Sequence, residues 1–125
     1  MKKIIICLFA CLSISLVFNS CSKDEASFDE SLLIGTWQLP TTDGTEYYHY
    51  KTGGVGVYWY EGTTEEADGR AFKWTLDKAD LTLTHQSQSG TFEAPEFFTV
   101  TSLTSTTFKY KDDFGATYTL TKISK

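Results

Sequence analysis

Phe72-Lys73-Trp74-Thr75-Leu76-Asp77-Lys78-Ala79-Asp80-Leu81-Thr82-Leu83-Thr84-His85 decides the fold. Apolar side chains alternate with Thr or Lys on both sides of Asp77-Lys78-Ala79-Asp80, which is the period of an extended strand with one buried face. Phe72, Trp74, Leu76, Leu81 and Leu83 form the apolar set, and the polar tetrapeptide between the runs reads as a hairpin turn.

The same scheme repeats outward in both directions. Phe108-Lys109-Tyr110-Lys111 and Thr117-Tyr118-Thr119-Leu120-Thr121 flank the turn Asp112-Asp113-Phe114-Gly115. Thr36-Trp37-Gln38-Leu39, Glu46 to Lys51 and Val55 to Tyr60 come earlier, and Phe97 to Leu103 lies between the two clear hairpins. That makes about eight short strands with no long helix after residue 35, an antiparallel all-β meander. Alternation alone fits a closed barrel or a two-sheet sandwich equally. Phe28 to Ile34 reads as one helical turn whose apolar side covers a barrel end. The expected inward set is Trp37, Tyr48, Tyr50, Val57, Trp59, Phe72, Trp74, Leu83, Phe98, Val100, Phe108, Tyr110 and Tyr118. Gly53-Gly54 and Gly56 read as a turn and a bulge.

Upstream of this domain the chain changes character. Lys2 and Lys3 precede an apolar run from Ile4 to Phe18, the order of a secretory signal. Phe18-Asn19-Ser20-Cys21 then resembles the lipobox of bacterial lipoproteins, with Phe18 where leucine is usual. The resemblance implies cleavage before Cys21 and lipidation of its thiol. An uncleaved anchor is the alternative, but the run is barely long enough for the ~30 Å hydrocarbon core and has no basic stop. Cys7 and Cys11 would leave with residues 1–20, so with Cys21 acylated the folded part has no thiol for a disulfide, zinc cluster or nucleophile. Two or three palmitate-type chains, at ~0.8 kcal/mol per buried methylene, make a lasting membrane anchor.

Ser22-Lys23-Asp24-Glu25 resembles the export signal of Bacteroidetes-type lipoproteins, which implies an outer-membrane protein on the cell surface; the periplasmic leaflet is the alternative. The expected organisation is a signal peptide over 1–20, a lipidated cysteine and acidic tether over 21–27, and one domain over 28–125. Loss of Lys2 and Lys3 leaves nine basic side chains against sixteen acidic ones. Such a surface repels nucleic acid. The acids crowd at Glu61, Glu65, Glu66 and Asp68 and at Asp112-Asp113, both read as loops.

Gly35-Thr36-Trp37 within Leu33-Ile34-Gly35-Thr36-Trp37 carries a further resemblance. A helical turn, Gly-x-Trp, a run of hairpins, Phe72-x-Trp74-x-Leu76 and the ending Tyr118-Thr119-Leu120-Thr121-Lys122 together resemble the small lipocalin-like lipoproteins of bacteria. That resemblance implies an up-and-down barrel of about eight strands, its bottom closed by the Trp37 indole. Lys122, where the family more often has arginine, is the implied cation–π partner of Trp37. Gly35 is read as a point of close chain approach.

An eight-stranded barrel is either filled by side chains or holds one small ligand. Both outcomes are open from sequence: a solid aromatic core, or a shallow apolar pocket formed by Trp59, Phe72 and Trp74 with Tyr48 and Tyr50. The expected occupant is a small apolar or aromatic molecule. A different reading uses the outside, where Tyr47, Tyr58 and Tyr60 would present a Tyr-rich face to a protein or glycan partner. His49 and His85 stand in no nucleophile arrangement, and zincin, phosphate-loop and dinucleotide motifs are absent. Glu61 with Glu65 or Glu66 would make a poor carboxylate pair on a solvated loop, and their spacing with Asp68 fits no EF-hand. The expectation is therefore a non-enzymatic binding protein with no cofactor and no metal.

Overall fold

The computed structural model describes residues 26–62 and 69–123. Cys21, the leader, the tether up to Glu25 and the acids Glu65, Glu66 and Asp68 lie outside the described residues. A short 3₁₀ turn, Glu30–Leu33, precedes eight strands: β1 (Gly35–Thr41), β2 (Gly44–Lys51), β3 (Val55–Tyr60), β4 (Arg70–Asp77), β5 (Asp80–His85), β6 (Glu96–Leu103), β7 (Thr107–Lys111) and β8 (Thr117–Ile123).

Each strand pairs antiparallel with the next, and β8 returns to pair with β1 through Trp37 and Lys122. The sheet is a closed up-and-down barrel of lipocalin-like type, with no free edge to satisfy. Closure, rather than a sandwich, is thus the solution adopted by the alternating pattern.

The decisive hairpin forms from Asp77 paired with Asp80 around Lys78 and Ala79. Lys78 takes the left-handed conformation that a two-residue hairpin demands (φ 57°). Phe72, Trp74, Leu81 and Leu83 all point inward and are buried.

Strand β3 differs from the expected face assignment. Lys51 pairs with Val55 across a three-residue loop, which sets Tyr48 opposite Tyr58 and Tyr47 opposite Trp59. Opposed residues of an antiparallel pair share a face. Tyr58 and Tyr60 therefore join the inner face, and Val57 and Trp59 belong to the outer one. Trp59 stacks on Tyr47 with ring centroids 5.5 Å apart and planes 14° apart.

Gly56 is not a bulge either. It stands in an unbroken ladder between Tyr50 and Phe72. A Cβ there would collide with the His49 carbonyl and the Phe72 ring, so glycine is required by close approach. The bulge lies instead in β6, between Val100 and Ser102. The inserted residue shifts the alternation by one and brings Leu103 inward beside Val100.

Packing divides the barrel along its axis. Leu33 from the 3₁₀ turn, Trp37, Tyr50, Phe72, Trp74 and Phe108 fill one end. Their rings meet edge to face, Trp37 with Phe108 at 5.5 Å and Tyr50 with Phe72 at 5.0 Å. Edge-to-face contact suits the ring quadrupoles and adds to the area buried.

Candidate functional site

The closed end is built on Trp37. Its indole Nε1 donates to the Leu33 carbonyl at 2.9 Å, which ties the 3₁₀ turn across the barrel bottom. Lys122 Nζ lies 5.0 Å from the Trp37 ring centre and donates to the Leu32 carbonyl at 3.2 Å. The Lys122 stem crosses Gly35, where a Cβ would come within 2.7 Å of Lys122 Cε. Gly35 also holds φ 135°, a region L side chains avoid.

At the opposite end a cavity of about 260 Å³, as bounded by the described residues, enters the barrel. Its floor and walls are Tyr48, Tyr58, Leu83, Phe98, Tyr110 and Tyr118; Leu39, Glu46, Tyr60, His85, Glu93 and Glu96 complete the mouth. Inward positions nearest the open ends of β1 to β3 and β5 to β8 supply every one of these except Glu93. Glu93 comes from the β5–β6 loop, held by its amide donating to the His85 carbonyl at 2.8 Å.

Two stacked tyrosine pairs pave the cavity: Tyr48 with Tyr58 at 5.8 Å and Tyr110 with Tyr118 at 5.2 Å. Hydrogen bonds fix several hydroxyls. Tyr48 donates to Glu46 at 3.0 Å, Tyr58 to the Gln86 carbonyl at 3.3 Å and Tyr118 to Asp112 at 3.3 Å. Asp112 also accepts from the Phe114 and Ala116 amides at 2.9 Å, so one carboxylate shapes the β7–β8 loop and a wall ring together. His85 Nδ1 stands 3.1 Å from Glu96 across the rim.

Burial raises the Tyr48 and Tyr110 hydroxyls well above the ordinary phenol range, and neighbouring tyrosines and Glu46 push in the same direction. Burial is also the first cause raising Tyr60 and Tyr118, followed by Glu46 and Tyr58 for Tyr60 and by the Asp112 carboxylate for Tyr118. Beneath the floor, Tyr50 is fully enclosed, its hydroxyl has no hydrogen-bond partner, and burial raises it strongly.

The five residues expected to form a pocket are thus not gathered in one. Tyr48 lines the cavity. Tyr50, Phe72 and Trp74 sit below it in solid packing, with Trp74 Nε1 donating to the Val55 carbonyl at 2.9 Å. Trp59 is on the outer face, 6 % exposed. The Tyr-rich outer face also dissolves, since Tyr58 and Tyr60 turn inward and only Tyr47 stays outside. Exposed aromatic surface lies instead at Phe97 (60 %) and Phe114 (97 %), beside a surface hollow of about 230 Å³.

Glu46, Glu93 and Glu96 carried no sequence signal as a group, because the topology alone assembles them. Loop length was a usable signal for Tyr58 and Tyr60: three residues between Lys51 and Val55 fix the register, and with it the face of every β3 side chain. Among the described residues, no cluster of three or more His, Cys, Asp or Glu side chains is arranged to hold a metal ion. Comparison with known protein families, curated proteins and solved structures finds no match to this chain.

Proposed function

We propose that this chain is a lipid-anchored, non-enzymatic binding protein that holds a small ligand in the open end of a lipocalin-like barrel. One observation carries the reading: the barrel is packed solid at the Trp37 end and opens at the other into an aromatic cavity of about 260 Å³. That volume sits just below the ~300–1,000 Å³ of sites for drug-sized molecules, so the ligand is small. Stacked tyrosines supply apolar wall, and their hydroxyls and the rim carboxylates supply the few polar contacts that orient a ligand. The lipobox-like Phe18-Asn19-Ser20-Cys21 and the following Ser22-Lys23-Asp24-Glu25 support an anchor at Cys21 and display from the outer membrane.

Native mass spectrometry of the full-length protein, extracted gently from its own host, tests this reading. The expected result is a co-purifying small molecule that is lost in Tyr60→Ala. Tyr60 is 47 % exposed at the rim, so its truncation leaves the packed end intact. A second reading, contact with a protein or glycan, moves to Phe97 and Phe114, the exposed rings beside the mouth. It predicts instead a pull-down that Phe114→Ala abolishes.

A further inference from the structure

We infer that the ligand of the barrel mouth is a small organic cation, an ammonium group held among tyrosine rings between carboxylates. The inference rests on the cavity being the binding site and adds the charge of its occupant.

Strand order places the groups. In a closed barrel of eight, strands four apart face each other, so Tyr58 of β3 faces Tyr110 of β7. By the same count Glu46 of β2 faces Glu96 of β6. Each side of the mouth thus offers a stacked aromatic pair and an acid, with Glu93 entering from the loop. Among the described residues, no Lys or Arg lines the cavity. Arg70 stands at the rim near Tyr60, whose hydroxyl it stabilises in the charged form, and His85 is paired with Glu96. The balance remains acidic. The negative field reaches inside, because Glu46 contributes to holding Tyr48, Tyr60, Tyr110 and Tyr118 in their neutral forms, after burial.

A neutral apolar ligand would cover these carboxylates and bring no charge to offset their lost hydration, leaving only the Tyr48 hydroxyl on Glu46 and His85 on Glu96. An anion would be repelled. A bare metal ion needs several ligands converging within coordination distance, and the acids of the mouth are not so gathered. An organic cation meets the geometry: its diffuse charge attracts ring faces within about 6 Å and carboxylates at longer range.

The test is a fluorescence or calorimetric titration of the full-length protein in non-ionic detergent with choline and with its neutral isostere, in which a quaternary carbon replaces the nitrogen. Choline is expected to bind about tenfold or more tightly than the isostere, and to weaken as salt is raised. Glu46→Gln, which keeps an acceptor for the Tyr48 hydroxyl, and Glu96→Gln are each expected to weaken choline by roughly three- to tenfold and leave the isostere unchanged. Equal binding of the two probes, or equal loss of both in the variants, overturns the cationic assignment and leaves the cavity reading intact. Binding of neither probe overturns the cationic assignment, whereas the cavity reading falls only if no small molecule co-purifies.

Discussion

Alkaline titration offers the sharpest test of how the barrel is filled. Tyr48, Tyr50 and Tyr110 are buried phenols whose folded-state pKa values lie well above the ordinary 10.0, burial being the first cause in each. The unfolded chain releases these protons near 10.0, and the folded chain keeps them. Above that pH the unfolded state therefore binds fewer protons, and stability falls as pH rises; below it, the contribution is fully present. Each group costs about 1.4 kcal/mol at about pH 11 and about 2.7 kcal/mol at about pH 12. For three the loss is about 4 and then about 8 kcal/mol, against a total stability of roughly 5–15 kcal/mol for a domain. Unfolding is expected only above about pH 11, where the loss first becomes comparable to the lower end of that range, and not gradually from neutrality. Tyrosinate absorbance should rise in two stages. The later stage, that of Tyr48, Tyr50 and Tyr110, should appear only together with loss of native tryptophan fluorescence. If all seven tyrosines ionise in one phase near 10 while the fluorescence stays native, the barrel interior is wet and the packing argument fails.

Two further outcomes follow from particular contacts, and a third from the sequence around Cys21. Gly56→Ala should destabilise the protein by about 1–3 kcal/mol in urea unfolding, although glycine in a strand ordinarily favours replacement, because the new methyl meets the His49 carbonyl and the Phe72 ring. Lys122→Met keeps the stem over Gly35 but removes the charge above Trp37 and the hydrogen bond to the Leu32 carbonyl. A loss of about 1–2 kcal/mol is expected, with the Trp37 emission shifted. Cys21→Ser should abolish incorporation of labelled palmitate and move the protein from the membrane to the soluble fraction; continued membrane retention would sink the lipid-anchor proposal.

The fold was legible because one signal was redundant. Each of several hairpins alternated independently, and the turn at Lys78-Ala79 left little choice of register. Where β3 carries apolar residues on both faces, alternation says nothing about which side is inside, and Val57 and Trp59 were placed on the wrong one. Counting the residues of the β2–β3 loop resolves what composition does not, since a shift of one flips every side chain. The pocket was harder. Glu46, Glu93 and Glu96 lie on different elements, and only barrel closure brings them to one mouth. The largest rings drew attention as ligand contacts, yet Phe72 and Trp74 are where size matters most for filling a narrow barrel.

That division along the axis has a physical reason. A barrel of eight strands has an interior about wide enough for its own side chains, so a cavity persists only where inward residues stop converging. At the Trp37 end the 3₁₀ turn adds Leu33 from outside the sheet and seals the stack. At the other end the inward positions of the described strands become tyrosines held by Glu46, Asp112 and the Gln86 carbonyl. Hydrogen bonds to carboxylates and to the chain keep these rings against the wall, out of the space they would otherwise fill. Charge and aromatic surface thus concentrate where packing is least demanding. Rim residues such as Tyr60 and Glu96 add little to that packing, and stability rests on the buried rings below them.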